Sequence, residues 1–426
     1  MRRAVLLAVV PAFGFTTGAS LHAQDTVATG ATDVFLDCQA RGCDSQHFRN
    51  EIRFVNWVRD RTVADVHLLI TSQDAAGGGE VYELSFIGLR DASADSTTVS
   101  VTVGQNDTES ERRDALTNRI AQGLLPYVQA TAVANGIRIE FDPDEGGAAP
   151  VTATDDPWNF WVFSTQLDAE MEGESREQSR EFSASADASR TTADWKLELD
   201  LRASYEEDEF ELSDRTARRV RKDYEVETLV AKALAPLWSA GVSAEAGRST
   251  FENQDLYTRT AALVEYSLYP YEQFSRRRIT LQYSAGVRHM VYEDTTIYDQ
   301  VRETRADQRL ELSMDFQQPW GSARTSLSGS HYFHDTSRYQ LSANGGIDVR
   351  LFRGFSLDLS GSYSRVHDQL YIPKGDADDE EVLLQRRELE TNYRYDMRVG
   401  LRYTFGSVYN NIVNRRLNRG GGGDWN

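Results

Sequence analysis

The chain has 426 residues, with 46 Lys and Arg against 66 Asp and Glu and a formal net charge of −20 at pH 7. That acidity excludes a general nucleic-acid binder, which needs a basic footprint to displace phosphate counterions, and the length suits two domains. Mean hydropathy is −0.53, and after the first residues no apolar run approaches the ~20 residues of a membrane helix. Any passage through a bilayer therefore falls to strands, half of whose residues are polar.

Residues 1–24 open with Met1-Arg2-Arg3, pass through an apolar stretch from Ala4 to Val10, and reach small residues before Ala23. A basic start, a short apolar core and a small-residue end predict a secretory signal peptide. The only cysteines, Cys38 and Cys43, sit close together. In an exported chain that spacing predicts one local disulfide, and with only His47 nearby it does not suit a metal. No cofactor or metal site is expected.

Residues 25–145 alternate between strand and helix patterns. Residues 34–38 read as a short strand. Asp44 or Ser45 caps a helix whose apolar positions, Phe48, Ile52, Val55 and Val58, fall at helical spacing. Residues 63–71 form a buried strand, Gly77 to Gly79 a turn, and residues 80–89 the return strand of a hairpin. A third strand follows over 96–103. Thr108 then caps a long amphipathic helix through Leu116, Ile120, Leu124 and Val128, and residues 137–141 add a last strand. His67 lies within the apolar strand beside Asp65 and reads as a core histidine. Residues 146–157, rich in Gly, Ala, Pro and Thr, read as a linker.

From Trp158 to Phe405 two-residue alternation replaces the helical period. The clearest strand sets Trp195, Leu197, Leu199, Leu201 and Ala203 against Lys196, Glu198, Asp200 and Arg202. The last sets Tyr393, Tyr395, Met397, Val399, Leu401, Tyr403 and Phe405 against Arg394, Asp396, Arg398, Gly400 and Arg402. Side chains alternate faces along a strand, so each such segment has one greasy wall and one charged wall. About twelve segments repeat this pattern, each long enough to cross a bilayer, with aromatics near their ends. Short connections (Ala235-Pro236-Leu237, Pro319-Trp320-Gly321, Arg353-Gly354) alternate with longer ones over 207–222, 293–304 and 371–388, as when one rim faces the periplasm and the other faces outside. An even strand number returns the carboxy terminus to the side of the amino-terminal domain.

These segments resemble two kinds of envelope protein. Arg398 to Phe405, with Gly400, Tyr403 and Phe405 at the matching places, is similar to the assembly signal of bacterial outer-membrane β-barrels. That resemblance implies insertion by the barrel-assembly machinery, and residues 406–426 would then hang in the periplasm as a flexible tail. The strand and helix order of residues 25–145 resembles, in architecture only, the amino-terminal domains of TolB-type periplasmic proteins, which implies a docking domain for a periplasmic protein partner.

The expected fold is an α+β periplasmic domain followed by an all-β antiparallel transmembrane barrel of about twelve strands. Expected lumen-lining residues are Lys196, Glu198, Asp200, Arg202, Arg309, Glu311, Asp348, Arg350, Arg394, Asp396, Arg398 and Arg402. Arg215, Arg218, Arg219, Arg221 and Lys222 form a basic loop suited to lipopolysaccharide phosphates. An acidic cluster over 376–381 reads as a solvated loop. The expected role is structural, in the outer membrane and in contact with its lipid, or that of a narrow passive channel. The enzymatic alternative is a barrel hydrolase using His334-Asp335 and His367-Asp368 at the outer rim, where His can act as a base beside a carboxylate.

Overall fold

A computed structural model describes residues 30–75, 79–90, 96–129, 131–138, 157–211, 216–375 and 391–411. The expected signal peptide, most of the linker, the end of the strand expected over 137–141, Arg215, the acidic cluster over 376–381 and the tail after residue 411 lie outside the described residues.

The amino-terminal part folds as expected for an α+β unit, except that residues 137 and 138, the start of the expected last strand, follow a helical turn over Ala132–Gly136 and are not in a strand, and that the first helix is shorter. Its strands are β1 (Asp33–Cys38), β2 (Asn56–Val58), β3 (Val66–Asp74), β4 (Glu80–Gly88) and β5 (Thr97–Val103), and its helices are α1 (Ser45–Glu51) and α2 (Glu109–Val128). The sheet order is β2-β1-β3-β4-β5, with β1 parallel to both neighbours and the β3-β4-β5 pairings antiparallel. The helix expected to run through Val58 stops at Glu51, and Asn56–Val58 forms a short edge strand instead. Ile52, Val55 and Trp57 all still reach the core. Burial alone therefore could not decide between helix and strand. The turn is pinned by the Trp57 indole N–H, which donates to the Ile52 carbonyl at 3.0 Å.

Helix α2 begins with a capping box. The Glu111 N–H donates to the Thr108 hydroxyl at 3.3 Å, and the Glu111 carboxylate accepts from the Thr108 N–H at 2.7 Å, satisfying donors that a helix start leaves open. Its apolar stripe, Leu116, Ile120 and Leu124, packs with Phe48, Leu68, Ile70, Tyr82, Leu84 and Phe86 in one core. Gly123 sits where a Cβ would lie 2.2 Å from the Phe86 ring, so that ring seats in the notch which the glycine leaves in α2. Every residue of β3 from Val66 to Thr71 is buried. Val66, Leu68 and Ile70 face the helices, whereas His67, Leu69 and Thr71 point the other way, so the second face of this sheet is covered too.

What covers it is the larger sheet. Its strands are β6 (Trp161–Gly173), β7 (Glu177–Thr191), β8 (Trp195–Glu211), β9 (Thr216–Ala235), β10 (Trp238–Ser249), β11 (Gln254–Ser267), β12 (Arg277–Tyr292), β13 (Arg302–Gln318), β14 (Gly321–Tyr332), β15 (Asp335–Phe352), β16 (Phe355–Val366) and β17 (Tyr393–Tyr403). All twelve pair antiparallel with their sequence neighbours in a single meander. Their lengths run from 11 to 20 residues, more than the ~9–11 that cross a bilayer. Among the described residues no ladder joins β6 to β17.

The turns at the end nearer the small sheet are tight. Arg353-Gly354 joins β15 to β16 with Gly354 at φ 70°, where a Cβ would strike the Thr404 carbonyl, so this turn requires glycine. At the far end one expected loop is not a loop. Residues 207–211 and 216–222 continue the β8–β9 ladder, with Glu206 opposite Arg221, Asp208 opposite Arg219 and Glu209 opposite Arg218. Opposite charges across a ladder hold it together, so this run of acids and arginines zips into strand.

Candidate functional site, a polar wall between two covered ends

The large sheet is arranged inside out. Phe163, Leu167, Met171, Leu201, Val226, Val242, Leu281, Leu310, Leu341, Leu359, Met397 and Leu401 are exposed, Leu167 at 83 % and Met397 at 75 %. On the opposite face Ser284, Glu303, Asp307 and Gln317 are buried. A water-soluble sheet buries its apolar face, and an exposed apolar surface this extensive marks contact with something apolar. Aromatics gather at the near rim. Trp238 packs on Tyr266 at 4.8 Å, Phe352 on Phe355 at 4.8 Å and Tyr403 near Phe355 at 6.3 Å, while Lys232 reaches over the Trp195 ring at 5.1 Å. A girdle with snorkelling cations suits a bilayer interface.

The polar wall is laced with ion pairs. Lys196 meets Glu198 at 2.7 Å, Arg309 meets Glu311 at 3.0 Å, and Arg259 meets Asp307 at 2.9 Å. Arg288 lies 3.3 Å from Glu245, Arg324 lies 3.3 Å from Asp315, and Arg202 stands 3.7 Å from both Glu225 and Glu227. Of the expected lining residues, Lys196, Glu198, Asp200, Arg202, Arg309, Glu311, Asp348 and Arg350 share this face by register. Arg394, Asp396, Arg398 and Arg402 share it on β17 but are exposed, without the cover that interior strands enjoy. Gly400 lies opposite Asp358 in the same ladder.

The near end is covered by the small sheet. Arg350 donates two hydrogen bonds to the Asp37 carboxylate, at 2.6 and 2.7 Å, and its guanidinium lies over the Phe35 ring at 5.3 Å. Asp37, buried in β1, also holds His67 Nε2 at 3.0 Å. An ionised carboxylate only accepts, so Nε2 carries the proton. Burial raises the Asp37 pKa, but the hydrogen bonds from His67 and Arg350 outweigh it and hold the carboxyl below its ordinary range. Around this centre Gln39 donates to the Gln318 carbonyl at 3.1 Å, Ser275 donates to Glu83 at 2.7 Å, and Arg353 pairs with Asp60 at 2.6 Å. His67 lies in the core as expected, but its partner is Asp37 rather than the nearby Asp65. The available signal was a lone acid inside the apolar run Val34-Phe35-Leu36-Asp37-Cys38. Cys38 and Cys43 are joined in a disulfide just beyond it.

The chain after β17 completes this end. Expected as a free tail, it instead runs beside β2. Tyr409 bridges Val58, Arg59 N–H donates to the Val408 carbonyl at 2.7 Å, and Asn410 N–H donates to the Trp57 carbonyl at 2.8 Å. An open strand edge presents unpaired backbone groups, and residues 408–410 satisfy those of β2.

The far end is covered by the segment after β16. Leu370 packs with Met290, Tyr292 and Tyr332, flanked by Tyr257, Tyr298 and Tyr371. Ile297 N–H donates to the Ile372 carbonyl at 2.9 Å, and Asn253 Nδ2 donates to the Tyr371 carbonyl at 2.9 Å. Met290, Tyr292, Tyr332 and Tyr257 belong to the polar face by register, so this segment turns inward over the wall. No single segment announces this aromatic cluster, because its members lie on three different strands and two connecting loops.

Arg218 pairs with Glu207 at 2.7 Å, Arg219 with Glu206 and Asp208, and Arg221 with Glu206 at 3.5 Å. The arginines expected in a free basic loop are thus matched by acids of the facing strand, while Lys222 lies near the Tyr205 ring at 5.9 Å. His334 stands beside Tyr332, and Asp335 accepts from Ser337. His367 packs on the Tyr339 ring and lies 3.2 Å from the Arg365 Nε. Neither histidine has a nucleophile in contact among the described residues.

No protein-family model matches the chain, and no curated protein matches it. Among solved structures, the NanC porin aligns with a TM-score of 0.26 at 8 % identity, over 56 % of this chain and 100 % of that one. The beta domain of the Bordetella autotransporter BrkA aligns with a TM-score of 0.26 at 12 % identity, over 57 % and 98 %. The CymD monoaromatic hydrocarbon channel aligns with a TM-score of 0.27 at 8 % identity, over 48 % and 81 %. At such identities and TM-scores, function rests on this chain's own residues.

Proposed function

We propose that the chain is an outer-membrane β-barrel protein that holds its amino-terminal α+β domain against the periplasmic mouth, in a structural role and with a lumen closed at rest. One observation carries this reading: one face of the twelve long strands is apolar and exposed, while the opposite face is charged and, on the interior strands, covered. Only a bilayer stabilises that inversion, because lipid accepts the apolar band while the enclosed wall keeps its ion pairs. The short turns, both ends of the barrel segment and the docked domain share one rim, which supports a periplasmic position for that rim. Mixed charges paired along the wall, with Leu370 and its tyrosines at one end and the Asp37–Arg350 contact at the other, favour a plugged barrel over an open porin. The long strands at the far rim then stand above the membrane among lipopolysaccharide.

Outer-membrane fractionation and heat-modifiable gel migration test the placement, and a mature protein recovered wholly in the soluble periplasm would end it. Planar-bilayer recording tests the closed lumen. The full chain is expected to show no steady conductance, and sustained open channels at moderate salt would replace the closed scaffold with a passive channel.

A further inference from the structure

The two strands that end the large sheet carry opposite net charge on the polar face. On the polar face β6 presents Asp168, Glu170 and Glu172, and β17 presents Arg394, Arg398 and Arg402 with only Asp396 between them. Interior strands resolve such charges locally, as Arg259 does with Asp307. Among the described residues the three β17 arginines make no ion pair, and both strands are exposed on both faces over most of their length. Their outward faces also match, with Trp161 and Phe163 at the near rim of β6 and Tyr403 and Phe405 at the near rim of β17.

We propose that β6 and β17 of the same chain pair antiparallel in the register that sets Asp168 opposite Arg398 and Glu172 opposite Arg394. This seam rests on the membrane reading above, and it names the occupant of each open edge. Backbone groups facing hydrocarbon have no water to bond, so neither edge can stay open in a bilayer. A one-residue slip is excluded because it would turn the arginines into lipid. A slip of two residues one way brings Asp168 opposite Asp396. The other way brings Glu172 opposite Asp396 and leaves Asp168 opposite Gly400. Either alternative keeps a single opposite-sign pair, Glu170 with Arg394 or Arg398. The proposed register has two such pairs, and its one like-sign pair, Glu170 with Asp396, is flanked by both arginines. It also sets Phe163 opposite Tyr403 and Leu167 opposite Val399, greasy against greasy.

Cysteine pairing in the full chain, folded in detergent with its native disulfide intact, tests the seam. Directly opposed strand residues lie within the reach of a disulfide. Leu167→Cys with Val399→Cys is expected to form an intrachain bond on mild oxidation, at least fivefold more completely than Leu167→Cys with Met397→Cys or with Leu401→Cys. Asp168→Arg alone should lower the temperature at which the compact gel band is lost, and adding Arg398→Asp should restore most of it. Preferential bonding at another position, bonds between two chains, or a swap no better than the single change would overturn the register. If the chain shows no compact, heat-modifiable form at all, the membrane reading fails with it. A compact monomer bonded elsewhere sinks only the seam.

Discussion

At the scale of single residues, Asp37 ties the two halves together. A buried carboxylate that loses its cation is costly, typically more than the pair contributes while intact. Replacing Arg350 with Met should weaken domain docking by about 3 kcal/mol, the low end for a broken buried pair, since the Arg350 side chain is 34 % exposed. Protease sensitivity of the domain, with the barrel still heat-modifiable, would register this, and unchanged protection would show that the pair does not hold the halves together. The pH dependence has a definite sign. The Asp37 pKa is held low in the folded molecule, so its contribution is fully present above the ordinary aspartate value of about 4. It is lost as pH falls from there through the depressed value. Acid titration of domain release should therefore show a loss in that window in the native chain, and Asp37→Asn should remove it. Gly123 is the second residue on which much depends. Gly123→Ala drives a methyl into the Phe86 ring, and overpacking of this kind should cost about 1–3 kcal/mol, read as a lower melting temperature of the domain. An unchanged melting temperature would mean that Phe86 has room to move.

Single elements show what a sequence can and cannot announce. The twelve membrane-type strands were readable because alternation is local, and Trp195 to Tyr205 declares its two faces without help from any neighbour. The β3–β4 hairpin and the Thr108 cap were readable for the same reason. The end of helix α1 at Glu51 is not legible in the sequence, because Ile52, Val55 and Trp57 bury equally well in a helix or on an edge strand, and only the pairing of Asn56 with Asp33 decides. The basic stretch before Lys222 looks like a free loop in the sequence because its partners, Glu206 to Glu209, sit on another strand. Ion pairing across a ladder cannot be seen from one segment. The chain after Phe405 shows the same limit, since nothing in Val408-Tyr409-Asn410 names β2 as its neighbour. Truncation after Phe405 should leave the barrel heat-modifiable but bare the β2 edge. Loss of the backbone bonds at Arg59 and Asn410 should destabilise the domain by about 2 kcal/mol, at about 1 kcal/mol each. An unaltered denaturation midpoint for the domain would deny these contacts any weight.

At the scale of the whole molecule, the polar wall and its two covers were legible only in part. Mixed charge along the strands implied internal ion pairs, and they are present. What occupies the two ends depends on contacts hundreds of residues apart, such as Asp37 with Arg350. The tail is the case with the widest reach. Residues 408–410 follow the last barrel strand, yet they finish the edge of a sheet whose first strand begins at Asp33. The β2 edge of the small domain is thus completed by residues that follow β17 in the chain. That edge therefore acts as a completion mark. Slow amide exchange at Trp57 and Arg59 should appear in step with heat-modifiability during folding, and protection that arrives before the barrel forms would break that link.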